Sequence, residues 1–276
     1  MSLRAHCAKQ SPRVRIASSL TEPALSAVEA FASRNDNPVM RRVLMSNKKQ
    51  PASAVGPTWE GIYSEGRALN RYPFDNVVQF IYRNYSRAKP RAATKILEIG
   101  CGAGNNLWFA AREGFTVFGI DGSPSAIEFA QKRFAEEGLK GDLRVADFIK
   151  LPYEDDTFDF VIDRAALTCS TTSDAAKTIA EVRRVLLPGG KFFFNPYSDR
   201  HSSHVSGKPG PDGLTVDISG GTLTGIGPVR FYGKGEILGM FGAGWKVTGL
   251  RHVEFMEELT PPYDCHAEWI LTAEKM

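Results

Sequence analysis

Apolar positions along this chain fall into short runs that alternate with helical stripes. "KILEIG" at 95–100, "FTVFGID" at 115–121, "LRVADF" at 143–148, "FDFVID" at 158–163 and "LLPGGKFFFN" at 186–195 are runs of strand length bounded by turn residues, and they predict five buried strands. Between them the spacing is helical. Asn105 to Arg112 forms a short helix stopped by Gly114, and Ser123 offers an N-cap, with Pro124 at a first helical position, ahead of the stripe Ala126, Ile127, Ala130 and Phe134. Ile179, Val182, Val185 and Leu186 line the core face of a further helix. Upstream, "TWEGIYSEGRALNRYPFDNVVQFIYRNY" at 58–85 places Phe74, Val77, Val78 and Ile81 on one face, with Pro73 in the first turn.

Strands joined by helices of this length need crossover connections, which are right-handed, so the predicted fold is α/β with a doubly wound, mostly parallel sheet. The chain's end differs. "GWKVTGLRHVEF" at 244–255 and "HAEWILTAEK" at 266–275 both read as strands, with too few residues between them for a helical crossover. They should pair antiparallel, giving seven strands with an antiparallel last strand. Residues 196–231 are rich in Gly, Ser and Pro without clear periodicity and read as a substrate-loop insertion. The expected organisation is a basic N-terminal extension at 1–55, disordered or targeting, a helical lid segment at 56–90 and a main domain at 91–276.

Composition narrows the function. A chain of 276 residues, 42% hydrophobic and 24% charged, suits one large α/β domain with appendages. No stretch approaches the roughly 20 apolar residues of a membrane span, and no secretory pattern opens the chain, so a cytoplasmic protein without a membrane partner is expected. Cys7, Cys101, Cys169 and Cys265 are scattered without a CxxC pair, which argues against a disulfide framework and a zinc knuckle. The net charge of +3 is uneven: up to Gln50 there are nine Lys or Arg against Glu22, Glu29 and Asp36, which leaves the remainder at minus three. Phosphate binding needs positive charge clustered on the folded domain, so no nucleic-acid partner is expected. The cluster Arg83, Arg87, Lys89, Arg91 and Lys95 reads as a solvated linker. With no acid before Glu22, the first fifty residues have a transit-peptide-like composition, and Met45 of "MSNKKQPASAVGP" reads equally as a start.

"ILEIGCGAGNN" at 96–106 carries the chemical question. A dinucleotide fingerprint would put its third glycine at position 105, but that residue is Asn105, and the spacing through Gly100, Gly102 and Gly104 is GxGxG. Glu98 ahead of the turn suits a cationic ligand better than a pyrophosphate; an ordinary strand-to-helix turn is the bland alternative. Asp121 ends the second strand, where its carboxylate can accept two ribose hydroxyls or cap the next helix. Open α/β sheets bind ligands at the carboxyl ends of their strands, which favours binding.

Taken in order, "EIGCGAG", Asp121, "VADF", "FDFVIDRAAL", "LLPGGKFFF" and the final strand pair resemble class I S-adenosylmethionine-dependent methyltransferases of the small-molecule type, from Lys95 to Met276. The resemblance implies a Rossmann-like methyltransferase fold and S-adenosylmethionine as cofactor. It places Glu98, Gly100, Cys101, Gly102, Gly104, Asp121 and Gly122 around the cofactor, with Asp147 on the adenine amino group and the Phe148 N–H on a ring nitrogen. Asp163 would line its methionine part. It also implies a lid in which Arg71 closes over the cofactor while Trp59, Tyr63 and Tyr72, with Tyr197 of "NPY", meet the substrate; simple packing on the sheet fits these aromatics equally. Asp163-Arg164-Ala165-Ala166 departs from the Asn-Pro-Pro-Tyr type motif of nucleobase and glutamine amine methylation, and "NPY" falls one strand late. In "HSSH", His201 and His204 are candidate general bases, with His252 and His266 as alternatives; with no third ligand apparent, no metal is expected. The expected activity is methyl transfer to a small-molecule O or N acceptor by in-line displacement, in a monomer or homodimer. The alternatives are a nicotinamide-dependent oxidoreductase and a non-catalytic partner protein of methyltransferase fold.

Overall fold

The computed structural model describes residues 57–276, so the expected extension at 1–55 and the start at Met45 lie outside the described residues. Seven strands form one sheet in the order β3-β2-β1-β4-β5-β10-β9. The strands β1 (Lys95–Ile99), β2 (Thr116–Asp121), β3 (Asp142–Val145), β4 (Phe158–Arg164) and β5 (Leu186–Asn195) run parallel. The last strand, β10 (Cys265–Lys275), is antiparallel both to β5 and to β9 (Trp245–Met256). This is the doubly wound, mostly parallel arrangement that the alternation of runs predicts. Helices α1 (Pro57–Ser64) and α2 (Asp75–Asn84) precede the sheet, and α3 (Asn105–Arg112), α4 (Pro124–Glu136) and α5 (Thr172–Val185) provide crossovers.

Strand alternation divides the core into two layers. Leu97, Ile99, Val161, Phe192 and Phe194 pack with Ile179, Val182 and Val185 of α5. On the other face Ile96, Ile162 and Phe193 meet Val77, Phe80 and Ile81 of α2, Leu107 of α3 and Ile127 and Phe134 of α4. Glu98, two positions after Ile96, emerges on this second face, toward α3. A one-residue slip of β1 would exchange every side chain between faces, and each buried aliphatic is worth about 1.5–3 kcal/mol, so packing fixes where that carboxylate points.

Four local expectations change. Phe74 is the N-cap of α2, placing Pro73 outside the helix, and Phe80 rather than half-buried Val78 completes the stripe with Val77 and Ile81. Leu186 belongs to β5, because it pairs with Phe158 at the strand's irregular start. The insertion is structured: α6 (Ser202–Val205) leads to a small sheet of β6 (Lys208–Pro209), β7 (Leu214–Val216) and β8 (Val229–Arg230), over a cluster of Leu223, Val229 and Phe231. Its short strands lie below the length at which alternation is readable. A helix missed by the periodicity, α7 (Lys234–Met240), buries Ile237 alone among its residues and carries two glycines, so its stripe is faint.

Candidate active site at the carboxyl edge of the sheet

From β1 the chain winds outward through β2 to β3, and from β4 it winds the other way through β5, so a crevice opens beyond the carboxyl ends of β1 and β4. A cavity of about 380 Å³ occupies it, walled by the turn after β1, the ends of β2 and β4, α1 and part of the insertion. Gly100, Gly102 and Gly104 all have positive φ, at 62°, 50° and 72°, a region that strains any residue with a Cβ. Space is short as well: a Cβ on Gly100 would lie 2.2 Å from Ala166 Cβ, and one on Gly102 would lie 2.5 Å from the Tyr63 hydroxyl. Asp121 holds the turn, accepting the Gly102 N–H through Oδ2 and the Ser123 N–H through Oδ1, each at 2.8 Å.

Two buried carboxylates lie at this edge with one oxygen satisfied and one without a partner. Asn106 Nδ2 donates to Glu98 Oε1 at 2.7 Å while Glu98 Oε2 is orphaned; Asp163 Oδ1 accepts the Ala166 and Leu167 N–H groups at 2.9 and 3.1 Å while Oδ2 is orphaned. Burial pushes the Glu98 carboxyl up to about 8, with Asp163 and Asp121 adding to the push. Burial likewise raises Asp163 to about 7, against its two backbone hydrogen bonds. Glu98 lines the cavity, and its unpaired oxygen suits a cationic or proton-donating ligand. Such a ligand selects the ionised form. Cation affinity is therefore expected to rise roughly tenfold or more between pH 6 and pH 9, with protons released on binding. Calorimetry in two buffers of different ionisation enthalpy reads the release directly; proton uptake would contradict it.

Residues of the helical segment before β1 reach the same place. From α1, Trp59 and Tyr63 stand one turn apart and face the cavity, and Trp59 Nε1 donates to Cys169 Sγ at 3.0 Å. Glu60 between them turns to the start of α4, accepting from the Ser125 hydroxyl at 2.6 Å and from the Ser123 hydroxyl. Asn105, which stands where a fingerprint glycine would, and its neighbour Asn106 anchor the segment before α2: Asn105 Nδ2 donates to the Tyr72 carbonyl at 2.8 Å, and Asn106 Oδ1 accepts the Phe74 N–H at 2.9 Å. Asn106 thus links Glu98 to the start of α2.

The far end of the cavity was mostly illegible in the sequence. Arg164, at the end of β4, pairs with Glu268 of β10 at 3.2 Å, with both side chains nearly buried, and its guanidinium lies 4.2 Å from the centre of the Phe74 ring. Asn76 Nδ2 adds a bond to Glu268 at 3.3 Å. Tyr197, His266 and, from the insertion, Thr222, Leu223 and Ile226 complete the wall.

The structure brings Trp59, Tyr63, Glu98, Gly100 and Cys101 to the cavity, and also Gly102, Asp121, Phe148 and Tyr197. It does not bring the other candidates to its wall. Tyr72 is 76% exposed with its ring against Trp108, because Asn105 fixes its carbonyl rather than its side chain, and Arg71 is exposed beside it. Gly104 caps α3, close to Ala130. Gly122 is off the wall, Asp147 accepts the Ile149 N–H at 3.0 Å, and Asp163 is fully buried and off the wall. Of the proposed bases, His201 is fully buried behind the wall, where burial lowers it to about 4, and His204 turns to Thr215 at 3.1 Å. His252 bonds Ser198 at 2.8 Å, away from the cavity. His266 alone of these four histidines lines the cavity.

Comparison with known proteins bears on this arrangement. Residues 96–190 match the family model described as a methyltransferase domain. Methyltransferase GfsG of Streptomyces halstedii is 36% identical over 110 residues, 39% of each chain. A ubiquinone biosynthesis O-methyltransferase of Chelativorans sp. is 28% identical over 160 residues, 55% of this chain and 62% of the other. The chain thus spans less than two thirds of these relatives' lengths. Among solved structures, an S-adenosylmethionine-dependent methyltransferase of Methanosarcina mazei superposes with a TM-score of 0.58 at 22% identity, covering 71% of this chain and 97% of that one, a likeness of fold. The glycine turn, Asp121 and Glu98 all fall in the matched stretch, so residues 96–190 form a methyltransferase domain.

Proposed function

We propose that this protein transfers a methyl group from S-adenosylmethionine to a small-molecule O or N acceptor by in-line displacement. One observation carries the reading: a buried, half-satisfied carboxylate, Glu98, faces a cavity at the family's cofactor position, where a cationic amino-acid end would supply the missing partner. In this reading Gly100 and Gly102 let the cofactor approach the backbone, Asp121 takes the ribose hydroxyls on its remaining lone pairs, Phe148 flanks the base, and Trp59 and Tyr63 cover the site. The bound cofactor supplies an already activated methyl carbon. The chain's own residues then have to align an acceptor behind it and exclude water. An acid-rich wall is a poor cradle for a pyrophosphate, which disfavours a nicotinamide dinucleotide.

A cavity of this size suits a small acceptor rather than a nucleic-acid strand. Cys101, Cys169 and Cys265 are free thiols, which supports a reducing, cytoplasmic setting, and among the described residues no helix is long and apolar enough to cross a membrane. A monomer or homodimer is the proposed state. Incubation of the full chain with methyl-labelled cofactor and fractionated cell extract, followed by mass spectrometry, is expected to label a small molecule; label found solely in RNA or protein would overturn the acceptor class.

A further inference from the structure

Three side chains meet in a triangle of hydrogen bonds at the wall of the cavity. His201 Nδ1 accepts the Ser203 N–H at 3.0 Å, so the neutral ring carries its proton on Nε2. That nitrogen lies 3.2 Å from both Thr222 Oγ1 and His266 Nδ1. The shortest contact of the triangle joins Thr222 Oγ1 to His266 Nδ1, at 2.9 Å. His201 Nε2 donates, and with the Glu268 carboxylate facing its Nε2 the His266 ring accepts at Nδ1; its nearer donor is the Thr222 hydroxyl, which accepts from His201 in turn. His266 then keeps its own proton on Nε2, 3.8 Å from Glu268 Oε2, the carboxylate already fixed by Arg164 and Asn76. Thr222 and His266 line the cavity, His201 does not, and one lone pair of the Thr222 oxygen stays open.

We infer that the acceptor is a hydroxyl compound whose proton leaves through Thr222 to His266, with His201 and Glu268 as positioning residues. This rests on the methyltransferase reading. As the acceptor oxygen bonds the methyl carbon, the carbon–sulfur bond breaks and its electron pair stays on sulfur. The acceptor's proton goes to Thr222 Oγ1, whose own proton passes to His266 Nδ1. The imidazolium so formed faces Glu268, with Arg164 beyond it, His201 and Thr222 on one side, and the rings of Tyr197 and Phe255 at 5.5 and 6.3 Å. An oxygen acceptor needs this outlet, because an alkylated oxygen that keeps its proton is a strong acid; an amine retains its proton without cost, so a relay built for it would be idle.

The test uses the full chain, methyl-labelled S-adenosylmethionine and a small-molecule cell extract, with cofactor affinity measured alongside. His266→Gln is expected to keep cofactor affinity within about twofold, to lower the labelling rate by roughly 10²–10⁴ and to lose the acidic limb of the wild-type pH–rate profile. Thr222→Val should slow labelling about tenfold, whereas His201→Gln should slow it and keep the limb. The product should carry its label on oxygen. Full rate and an intact limb in His266→Gln, or a label on nitrogen or carbon, would overturn the inference. Absence of labelling by the wild type is a different outcome and counts against the transferase reading itself. Independently of turnover, nitrogen NMR of histidine-labelled protein should find His266 unprotonated at Nδ1 and His201 unprotonated at Nδ1; a proton on His266 Nδ1 in the neutral ring would exclude the relay.

Discussion

Replacing Glu98 by Gln is expected to make the unliganded protein more stable at pH 9 and, at the same pH, to weaken S-adenosylmethionine binding by one to two orders of magnitude. The two effects share a cause. A carboxyl whose folded pKa is raised from the ordinary 4.5 to about 8 binds its proton more tightly in the native state, so its contribution to stability falls as pH rises through that window and is fully unfavourable above it. Gln keeps the acceptor that Asn106 needs and removes the ionisation, so the variant should match the wild type near pH 5 and exceed it at pH 9 by roughly 1–3 kcal/mol, several degrees in Tm. The lost affinity corresponds to about 1.5–3 kcal/mol for one hydrogen bond to a charged group. Thermal denaturation at both pH values and calorimetry with the cofactor measure the two halves. A Gln variant that binds as well as the wild type would remove Glu98 from the site.

Gly100→Ala is expected to lower the melting temperature by about 6–12 °C and to abolish detectable cofactor binding. The backbone there has φ of +62°, which costs an alanine about 1–2 kcal/mol, and the new Cβ would lie 2.2 Å from Ala166 Cβ, a separation that forces the turns after β1 and β4 apart. Overpacking of this kind adds about 1–3 kcal/mol. The two causes are separable. Combining Gly100→Ala with Ala166→Gly removes the clash and leaves the dihedral strain, so about half of the lost stability should return. A double variant no more stable than Gly100→Ala alone would show that the steric argument is misplaced.

The sheet and the glycine turn were legible because both rest on local rules: five apolar runs of strand length, and glycines where the chain must take positive φ. Asp121 and Glu98 followed, since the last residue of β2 and the last but one of β1 lie at the carboxyl edge in any doubly wound sheet. Asn105 was visible as a departure from a glycine fingerprint, but what it and Asn106 hold, the Tyr72 carbonyl and the Phe74 N–H, lies over thirty positions upstream. The far end of the cavity depends on meetings of that kind. His201, the N-cap of α6, meets Thr222 from later in the insertion and His266 from β10, and no periodicity indicates which of several histidines a fold will bring together. Tyr72 shows the converse: an aromatic in the right stretch can still turn to solvent when its backbone is the part that is held.

The central claim is that the carboxylate-lined cavity beside Gly102 holds S-adenosylmethionine. Calorimetric titration of the full chain with S-adenosylmethionine and with a nicotinamide dinucleotide, repeated on Asp121→Ala, tests it most directly. The account predicts one-to-one binding of the sulfonium compound, at least a hundredfold loss in the variant, and no heat from the dinucleotide. Dinucleotide binding to the wild type, or equal affinity of the variant for S-adenosylmethionine, would contradict it.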